Sequence, residues 1–246
     1  MKLFFQHTAG RITNVDWQYT PVYATFDKDE HEKALQTGWL PHEYEEPLWF
    51  QARQVRYALA DLEFVKKHKI PARIDFEISH SLKNWDKYEE IWEIYLKKKN
   101  FPPTFKLKDL FEVEPESKMV IELYDYDELV AFSVIRMNPG PVSLQFAWTY
   151  HEPKLSLGTH CQYFELYYLS GCGFEYNYVC PGYERTCIWK SRFPGFEFWT
   201  GSKWSRDKKV YTELCITDSE IKDIDDLDKI GDLPLEMSSN KYMEWS

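Results

Sequence analysis

Residues 119–150 read MVIELYDYDELVAFSVIRMNPGPVSLQFAWTY, which is three apolar runs separated by two short polar turns. The runs at 119–124, 129–137 and 142–150 are rich in β-branched and aromatic residues, which favour β-strands. The two turns contain Asp, Asn, Pro and Gly, the residues that reverse a chain. Three strands joined by short turns predict an antiparallel meander, and this meander decides the fold class.

The segments on either side of the meander alternate between helix and strand patterns. Before it, Ile74, Phe76 and Ile78 alternate along a strand expected at 72–78. A helix with a capping box at Asp86–Glu89 follows that strand. Its apolar residues recur with helical spacing and form one stripe: Tyr88, Ile91, Trp92, Tyr95 and Leu96.

After the meander the sequence predicts more alternation. The expected elements are a helix at 156–170, a strand at 174–180, a helical stretch at 184–192, and strands at 196–200 and 209–216. Nearer the N-terminus, a helix is expected at 28–36 and a strand at 48–56.

This order of elements over residues 71–216 resembles the acyl-CoA N-acyltransferase (GNAT) fold. The resemblance implies an α/β fold with a mixed, mainly antiparallel sheet flanked by helices. Residues 1–70 are expected to form an N-terminal extension packed on that core. Residues 217–246 are expected to form an acidic tail.

Charge and composition limit the classes of partner. The formal net charge of the 246 residues is -10, and a field of that sign disfavours a generic nucleic-acid binder. Basic runs at 66–69 and 97–99 are more typical of solvated faces, although either can touch a polyanion. Aromatic residues make up 17% of the chain, which fits either an aromatic core or a lined pocket.

The cysteines and the first residues indicate the compartment. Five cysteines without CxxC spacing predict free thiols and neither a zinc site nor a disulfide framework. The apolar run in Met1–Phe5 is far too short for a signal peptide or a membrane span. We therefore expect a cytoplasmic protein with no membrane partner and no bound metal.

The loop between the strand at 142–150 and the helix at 156–170 is one place for a ligand. A glycine at a helix mouth lets backbone N–H groups approach a phosphate, and Gly158 either does this or serves only as a turn residue. Acetyltransferases carry Q/R-x-x-G-x-G/A here, whereas this chain has Leu155, Gly158 and His160. Only the middle glycine is kept, so the loop disfavours acetyl-CoA.

A series of motifs in the C-terminal half is more specific. It consists of SLGT at 156–159, Glu165-Leu166, Gly173, Tyr176, Tyr178, Gly182-Tyr183 and Trp189-Lys190. This series resembles the C-terminal half of the bacterial arginyl- and leucyl-tRNA–protein transferases. The resemblance covers roughly residues 30–200 and is specific from 156 to 193. The family's N-terminal cysteine cluster is missing, because Phe50-Gln51-Ala52 stands there, and its basic segment is thinned at 64–69.

The resemblance implies an aminoacyltransferase that moves an activated amino acid from aminoacyl-tRNA to a free amine of a peptide or small molecule. Aminoacyl-tRNA is then a co-substrate, and no further cofactor is needed. Glu184 or His151 is expected to act as general base, Tyr183 as acid, and Lys190 as a binder of carboxylate or phosphate. The expected substrate-binding residues are Gly158, Thr159, His160, Arg56, Trp148, Trp189 and Trp199.

Each of these residues also has a plain structural interpretation. Tyr183 fits a packed ring, Glu184 a surface charge, and His151 and His160 polar loop residues. Two other functions stay open as alternatives. One is an N-acetyltransferase that uses acetyl-CoA, and the other is a GNAT-like binding module without catalysis.

Overall fold

The computed structural model describes residues 22–42, 48–60, 68–80, 84–100, 106–112, 114–179 and 185–220. The predictions for Tyr183, Glu184, the first residues and the tail beyond 220 lie outside this part of the chain. The chain divides into two compact units. The first unit comprises 1–42, 47–58 and 179–246, and the second comprises 43–46 and 59–178. The three-part division expected from the sequence stays a prediction.

The second unit is built on the predicted meander. Its strands lie in the order β9-β8-β7-β6-β5. Their bounds are β5 Ile74–Ser79, β6 Lys118–Asp125, β7 Glu128–Arg136, β8 Val142–Trp148 and β9 Tyr176–Val179. The pairs β5–β6, β6–β7 and β7–β8 are antiparallel. The quoted stretch therefore forms the three central strands, as its apolar runs predict.

The helices of the second unit are α2 (Trp85–Lys99), α3 (Asp109–Glu112) and α4 (Leu157–Gly171). All five residues of the predicted α2 stripe are buried. The predicted capping box is wrong, because α2 begins at Trp85 and Asn84 occupies the N-cap without a side-chain cap hydrogen bond. The Asn84 amide instead donates to Glu122 Oε1 at 2.7 Å, so a contact with the sheet replaces the local cap.

Helix α4 connects β8 to β9, which lie side by side. The helix places its first turn at the carboxyl end of β8, the edge of an α/β sheet where ligands usually bind.

The first unit contains two groups of strands. The strands β1 (Val22–Thr25), β2 (Trp39–Pro41) and β3 (Leu48–Gln51) form an antiparallel sheet in the order β1-β3-β2. The strands β4 (Val55–Ala58), β10 (Phe196–Trp199) and β11 (Trp204–Ser205) lie in the order β11-β10-β4. The strand predicted at 48–56 is thus two strands, β3 and β4, separated by residues 52–54.

The helices of the first unit are α1 (His31–Gln36), α5 (Lys208–Glu220) and a 3-10 helix over Arg185–Arg192. The strand predicted at 209–216 is wrong, since these residues lie in α5. Asp207 Oδ1 accepts the backbone N–H groups of Lys209 and Val210, both at 3.0 Å, and so starts the helix. The residues with helical spacing are the buried ones, Tyr211, Leu214 and Cys215.

The predicted fold class, a mixed α/β structure with a mainly antiparallel sheet flanked by helices, is confirmed. Within the described ranges, no helix combines the length and the apolar character that crossing a bilayer would take.

Candidate functional site

Four aromatic side chains form a continuous surface at the carboxyl end of β8. This aromatic floor consists of Tyr95, Phe146, Trp148 and Tyr150. The Trp148 ring centroid lies 5.0 Å from Phe146, 4.6 Å from Tyr150 and 5.0 Å from Tyr95. Phe146, Trp148 and Tyr150 are only partly buried, so part of the floor is open to a ligand.

The first turn of α4 rests on this floor. A Cβ on Gly158 would lie 3.4 Å from Phe146 Cε1 and 3.8 Å from Trp148 Cη2. Ser156, the N-cap residue, has φ 51° and makes no side-chain cap hydrogen bond. The first N–H groups of a helix have no intrahelical partner. The Ser156 carbonyl accepts the N–H groups of Thr159 at 2.8 Å and His160 at 3.3 Å, whereas the Ser156 side chain caps neither Leu157 nor Gly158. This turn is therefore suited to the predicted role of Gly158, in which backbone N–H groups at the helix mouth approach a phosphate.

A cation lies over the same floor. Lys99 Nζ is 5.3 Å from the Trp148 ring centroid and 5.9 Å from that of Tyr95. These distances allow a cation–π interaction. Lys97 and Lys98 are exposed in the same last turn of α2. The protein is acidic as a whole, yet this corner of the second unit is basic.

His151 follows the floor and has a hydrogen-bond partner on each ring nitrogen. His151 Nε2 lies 2.9 Å from Asp125 Oδ2, and His151 Nδ1 lies 2.7 Å from Thr149 Oγ1. Arg73 Nε lies 3.0 Å from the other Asp125 oxygen. The sequence suggested His151 as a base but not its two partners.

His160 and Thr159 take different positions on α4. Thr159 is exposed, whereas His160 is buried. His160 Nδ1 lies 2.8 Å from His68 Nε2, and the His68 ring stacks on Tyr163 with centroids 3.9 Å apart. Burial lowers the pKa of His160, and the neighbouring His68 lowers it further. Burial also lowers the pKa of His68.

This histidine pair predicts a loss of stability in acid. The lowered pKa values mean that the unfolded chain binds these protons more tightly. The contribution of the neutral histidine pair to the free energy of unfolding is therefore present above the unfolded pKa, about 6.5, and is lost as the pH falls below that value towards the lowered folded pKa. We expect the Tm of the wild type to drop more between pH 7.5 and 5.5 than that of a His68→Gln/His160→Gln variant. Equal drops in differential scanning calorimetry would contradict this.

The remaining predicted residues lie in the first unit. Arg56 Nε is 2.7 Å from Glu197 Oε2, and its guanidinium lies 4.1 Å from the Trp204 ring centroid. Trp199 is buried, with an indole N–H that makes no hydrogen bond to the described part of the chain.

Two further predicted residues lie in the 3-10 helix of this unit. Lys190 is buried, and its carbonyl accepts the Tyr57 hydroxyl at 3.1 Å. Trp189 is exposed and meets Phe193 edge-on at 5.7 Å. Of the four predicted residues in this unit, Arg56, Lys190 and Trp199 are buried and Trp189 is exposed. Substrate roles for all four stay predictions.

A buried carboxyl group in the second unit has no counterpart among the predicted site residues. Glu165 accepts hydrogen bonds from Ser133 Oγ at 2.5 Å and Ser143 Oγ at 2.8 Å. Gln162 Nε2 adds a third at 3.2 Å. Burial raises the pKa of Glu165, although the hydrogen bonds from Ser133 and Ser143 oppose the shift. Glu165 is buried, which fits a structural role better than contact with a substrate.

Comparisons with known proteins identify no family. No protein-family model and no curated protein matches the sequence. The chain is similar to a crystal structure from Agrobacterium fabrum, the C-terminal domain of a "Putative Lysylphosphatidylglycerol Synthetase". The identity is 10% and the TM-score 0.41, over 66% of this chain and 55% of that one.

A second similar structure is a functionally unknown conserved protein from Staphylococcus epidermidis. It has 11% identity and a TM-score of 0.36, over 63% of this chain and 57% of that one. This chain therefore spans little more than half the length of each. At such scores neither likeness shows what this chain binds, and membership of the tRNA–protein transferases stays a prediction.

Proposed function

We propose that this protein is an acyltransferase that moves an activated amino acid from aminoacyl-tRNA to the free amine of a peptide or small molecule. The observation that carries the proposal is the partly open aromatic floor, with Lys99 above it and the first turn of α4, which has no side-chain cap, on it. His151 lies three residues beyond Trp148, the last strand residue of that floor.

The floor has the chemistry to hold the end of a charged tRNA. Bases of single-stranded nucleic acid stack on aromatic side chains, and such stacking contributes about 1–3 kcal/mol per base. The Trp148 face and the Tyr150 ring offer such a surface. Lys99 and the N–H groups of the first turn around Gly158 would neutralise the adjoining phosphate.

Transfer to an amine needs a base near the activated carbonyl. The net reaction forms a C–N bond to the amine and breaks the C–O bond to the ribose. The amine loses a proton, and the leaving hydroxyl gains one. His151, held between Asp125 and Thr149, is suited to move that proton. The roles of Tyr183, Glu184 and Lys190 remain part of the proposal.

Acetyl-CoA is the second candidate donor, and one observation favours it. The loop pattern disfavours acetyl-CoA in part because His160 stands where acetyltransferases have a small residue, and a ring at the helix mouth would obstruct the pyrophosphate. In the structure this ring is buried against His68. The ring is therefore not an exposed obstacle, and the floor would serve the adenine of coenzyme A as well as that of tRNA.

The donor can be identified by filter binding with a pool of charged tRNA, scanned by amino acid. We expect one charged species to be retained, and Lys99→Ala to weaken its binding about tenfold through loss of a phosphate contact and a cation–π contact. Lys97→Ala is the matched control, because it removes the same charge from the same helix turn. We expect it to change binding by less than threefold.

The outcomes separate the two donors. No retained tRNA, together with a rise in Tm that saturates with coenzyme A, would replace aminoacyl-tRNA by acetyl-CoA. Equal losses in Lys99→Ala and Lys97→Ala would mean that only net charge matters, and would contradict a specific role for the floor. If neither charged tRNA nor coenzyme A binds, both proposed donors are contradicted.

A further inference from the structure

Two side chains just beyond β8 and one at the end of β6 form a continuous hydrogen-bonded chain. Thr149 Oγ1 lies 2.7 Å from His151 Nδ1, and His151 Nε2 lies 2.9 Å from Asp125 Oδ2. The sequence of groups is hydroxyl, imidazole, carboxylate. A nucleophile, a base and a group that orients the base form the general signature of covalent catalysis.

The direction of these hydrogen bonds follows from the chemistry of the groups. An ionised carboxylate can only accept, so His151 Nε2 carries the proton shared with Asp125. In the neutral imidazole, Nδ1 then has a free lone pair and accepts the proton of the Thr149 hydroxyl. This is the tautomer in which the imidazole can remove the hydroxyl proton.

The carboxylate is held in place by a cation. Arg73 Nε lies 3.0 Å from Asp125 Oδ1, the oxygen that does not face His151. Arg73 Nη2 also pairs with Glu152 in the loop that follows His151. The Asp125 side chain is about 10% exposed, whereas that of His151 is 35% exposed. The orienting group is therefore enclosed, and the imidazole remains accessible.

The backbone between the hydroxyl and the imidazole is in an uncommon conformation. Tyr150 has φ 57°, the left-handed region that a bulky residue rarely adopts. In an extended strand, side chains two residues apart are separated by about 7 Å. The left-handed Tyr150 brings Thr149 and His151 within hydrogen-bond distance instead. Such strained residues concentrate at functional sites.

We propose that Thr149 is a nucleophile that takes the acyl group from the activated donor before the amine does. The Thr149 oxygen attacks the ester carbonyl, forming a new C–O bond and breaking the bond to the donor's leaving oxygen. His151 Nδ1 takes the Thr149 proton and returns it to that leaving oxygen. The free amine then attacks the threonyl ester, which forms a C–N bond and breaks the bond between the carbonyl carbon and Thr149 Oγ1. His151 takes a proton from the amine and gives it to Thr149 Oγ1, which restores the hydroxyl. Asp125 acts as a positioning residue.

This inference rests on the proposed acyl-transfer function, but it can be tested without tRNA. The full chain is mixed with p-nitrophenyl acetate, an activated ester, and the release of p-nitrophenol is followed. We expect a rapid first turnover of about one equivalent, and peptide masses that place the acetyl group on Thr149. Thr149→Ala should abolish the burst, and Thr149→Ser should keep it.

The positioning role of Asp125 has a separate readout. We expect Asp125→Asn to slow the burst at least 100-fold without changing its amplitude, since the amide can hold the imidazole in the wrong tautomer. The pH dependence of the burst rate should change as well, which a merely structural role would not cause. Thr212→Ala, which removes a hydroxyl from α5, is the control and should match the wild type.

Several outcomes would overturn the inference. A burst that persists in Thr149→Ala, or an acetyl group on the exposed Cys172 thiol, would do so. Absence of a burst while aminoacyl transfer proceeds would remove the covalent step and leave the proposed function intact. A burst on Thr149 without binding of any charged tRNA would keep the nucleophile and reject the proposed donor.

Discussion

Gly195→Ala is expected to destabilise the protein by about 3 kcal/mol or more, because the substitution combines strain with overpacking. Gly195 has φ +71°, and a Cβ there would lie 2.2 Å from the carbonyl oxygen and 2.9 Å from the nitrogen of Ala58. Both are backbone atoms, which cannot turn aside as a flexible side chain can. The Gly195 carbonyl also accepts the Ala58 N–H at 2.7 Å, so the two backbone segments cannot separate without losing that hydrogen bond.

Two other glycines are matched controls for the measurement. Gly173 has φ +85° and open space around its Cβ position, so Gly173→Ala should show the backbone strain alone, about 1 kcal/mol. Gly171 lies in α4, and a Cβ added there would have no other atom within 4 Å outside the neighbouring helix backbone. Gly171→Ala should therefore be neutral or slightly stabilising. Urea denaturation measures all three. A loss at Gly195 no larger than that at Gly173 would show that the close approach to Ala58 is not rigid.

The contrast between these glycines explains how far the fold could be predicted. The meander is visible in the sequence because apolar runs and turn residues are local signals. The approach of Gly195 to Ala58 joins positions 137 residues apart in the chain, and no local pattern records it. The prediction of a strand at 209–216 is wrong because β-branched residues such as Val210 and Thr212 favour a strand locally, whereas the N-cap at Asp207 starts a helix.

The candidate site shows the same division. The sequence predicts a role for Gly158 because it stands at the start of a periodic helix, and for Trp148 because it lies near the end of a strand; both roles stay predictions. Asp125 was read as a turn residue, since nothing in its neighbourhood signals a contact with His151, 26 residues later. Asp125 ends β6 and His151 follows β8, with β7 between the two strands, so their contact depends on the order and register of the sheet. The sequence alone does not fix that register.

Glu165 is a case in which a signal was present. In α4, Leu157, Cys161, Glu165 and Leu169 are spaced four residues apart and are all buried. A carboxyl group on an otherwise apolar stripe indicates a buried polar contact, because an unpaired charge is too unfavourable there. Ser133, within the apolar run of β7, is the matching signal from the sheet.

Glu165→Ala is expected to lower the free energy of unfolding by about 3 kcal/mol. The change leaves a cavity and removes the acceptor that Ser133 and Ser143 share, and buried hydroxyls without a partner are destabilising. Glu165→Gln keeps the volume and one carbonyl acceptor, and Ser133 and Ser143 can accept from its amide. It should therefore keep most of the stability.

The comparison with Glu165→Gln also gives a pH dependence of known sign. Burial raises the pKa of Glu165, so the folded protein holds this proton more tightly than the unfolded chain does. Its contribution is complete below the unfolded pKa, about 4.3, and is lost as the pH rises through the folded value. Glutamine does not titrate. Guanidinium denaturation at pH 5 and pH 8 should show the variant gaining on the wild type as the pH rises. If the stability of the variant relative to the wild type stays constant or falls from pH 5 to pH 8, the hydrogen bonds to this carboxyl group, those from Ser133 and Ser143 first, outweigh the effect of burial.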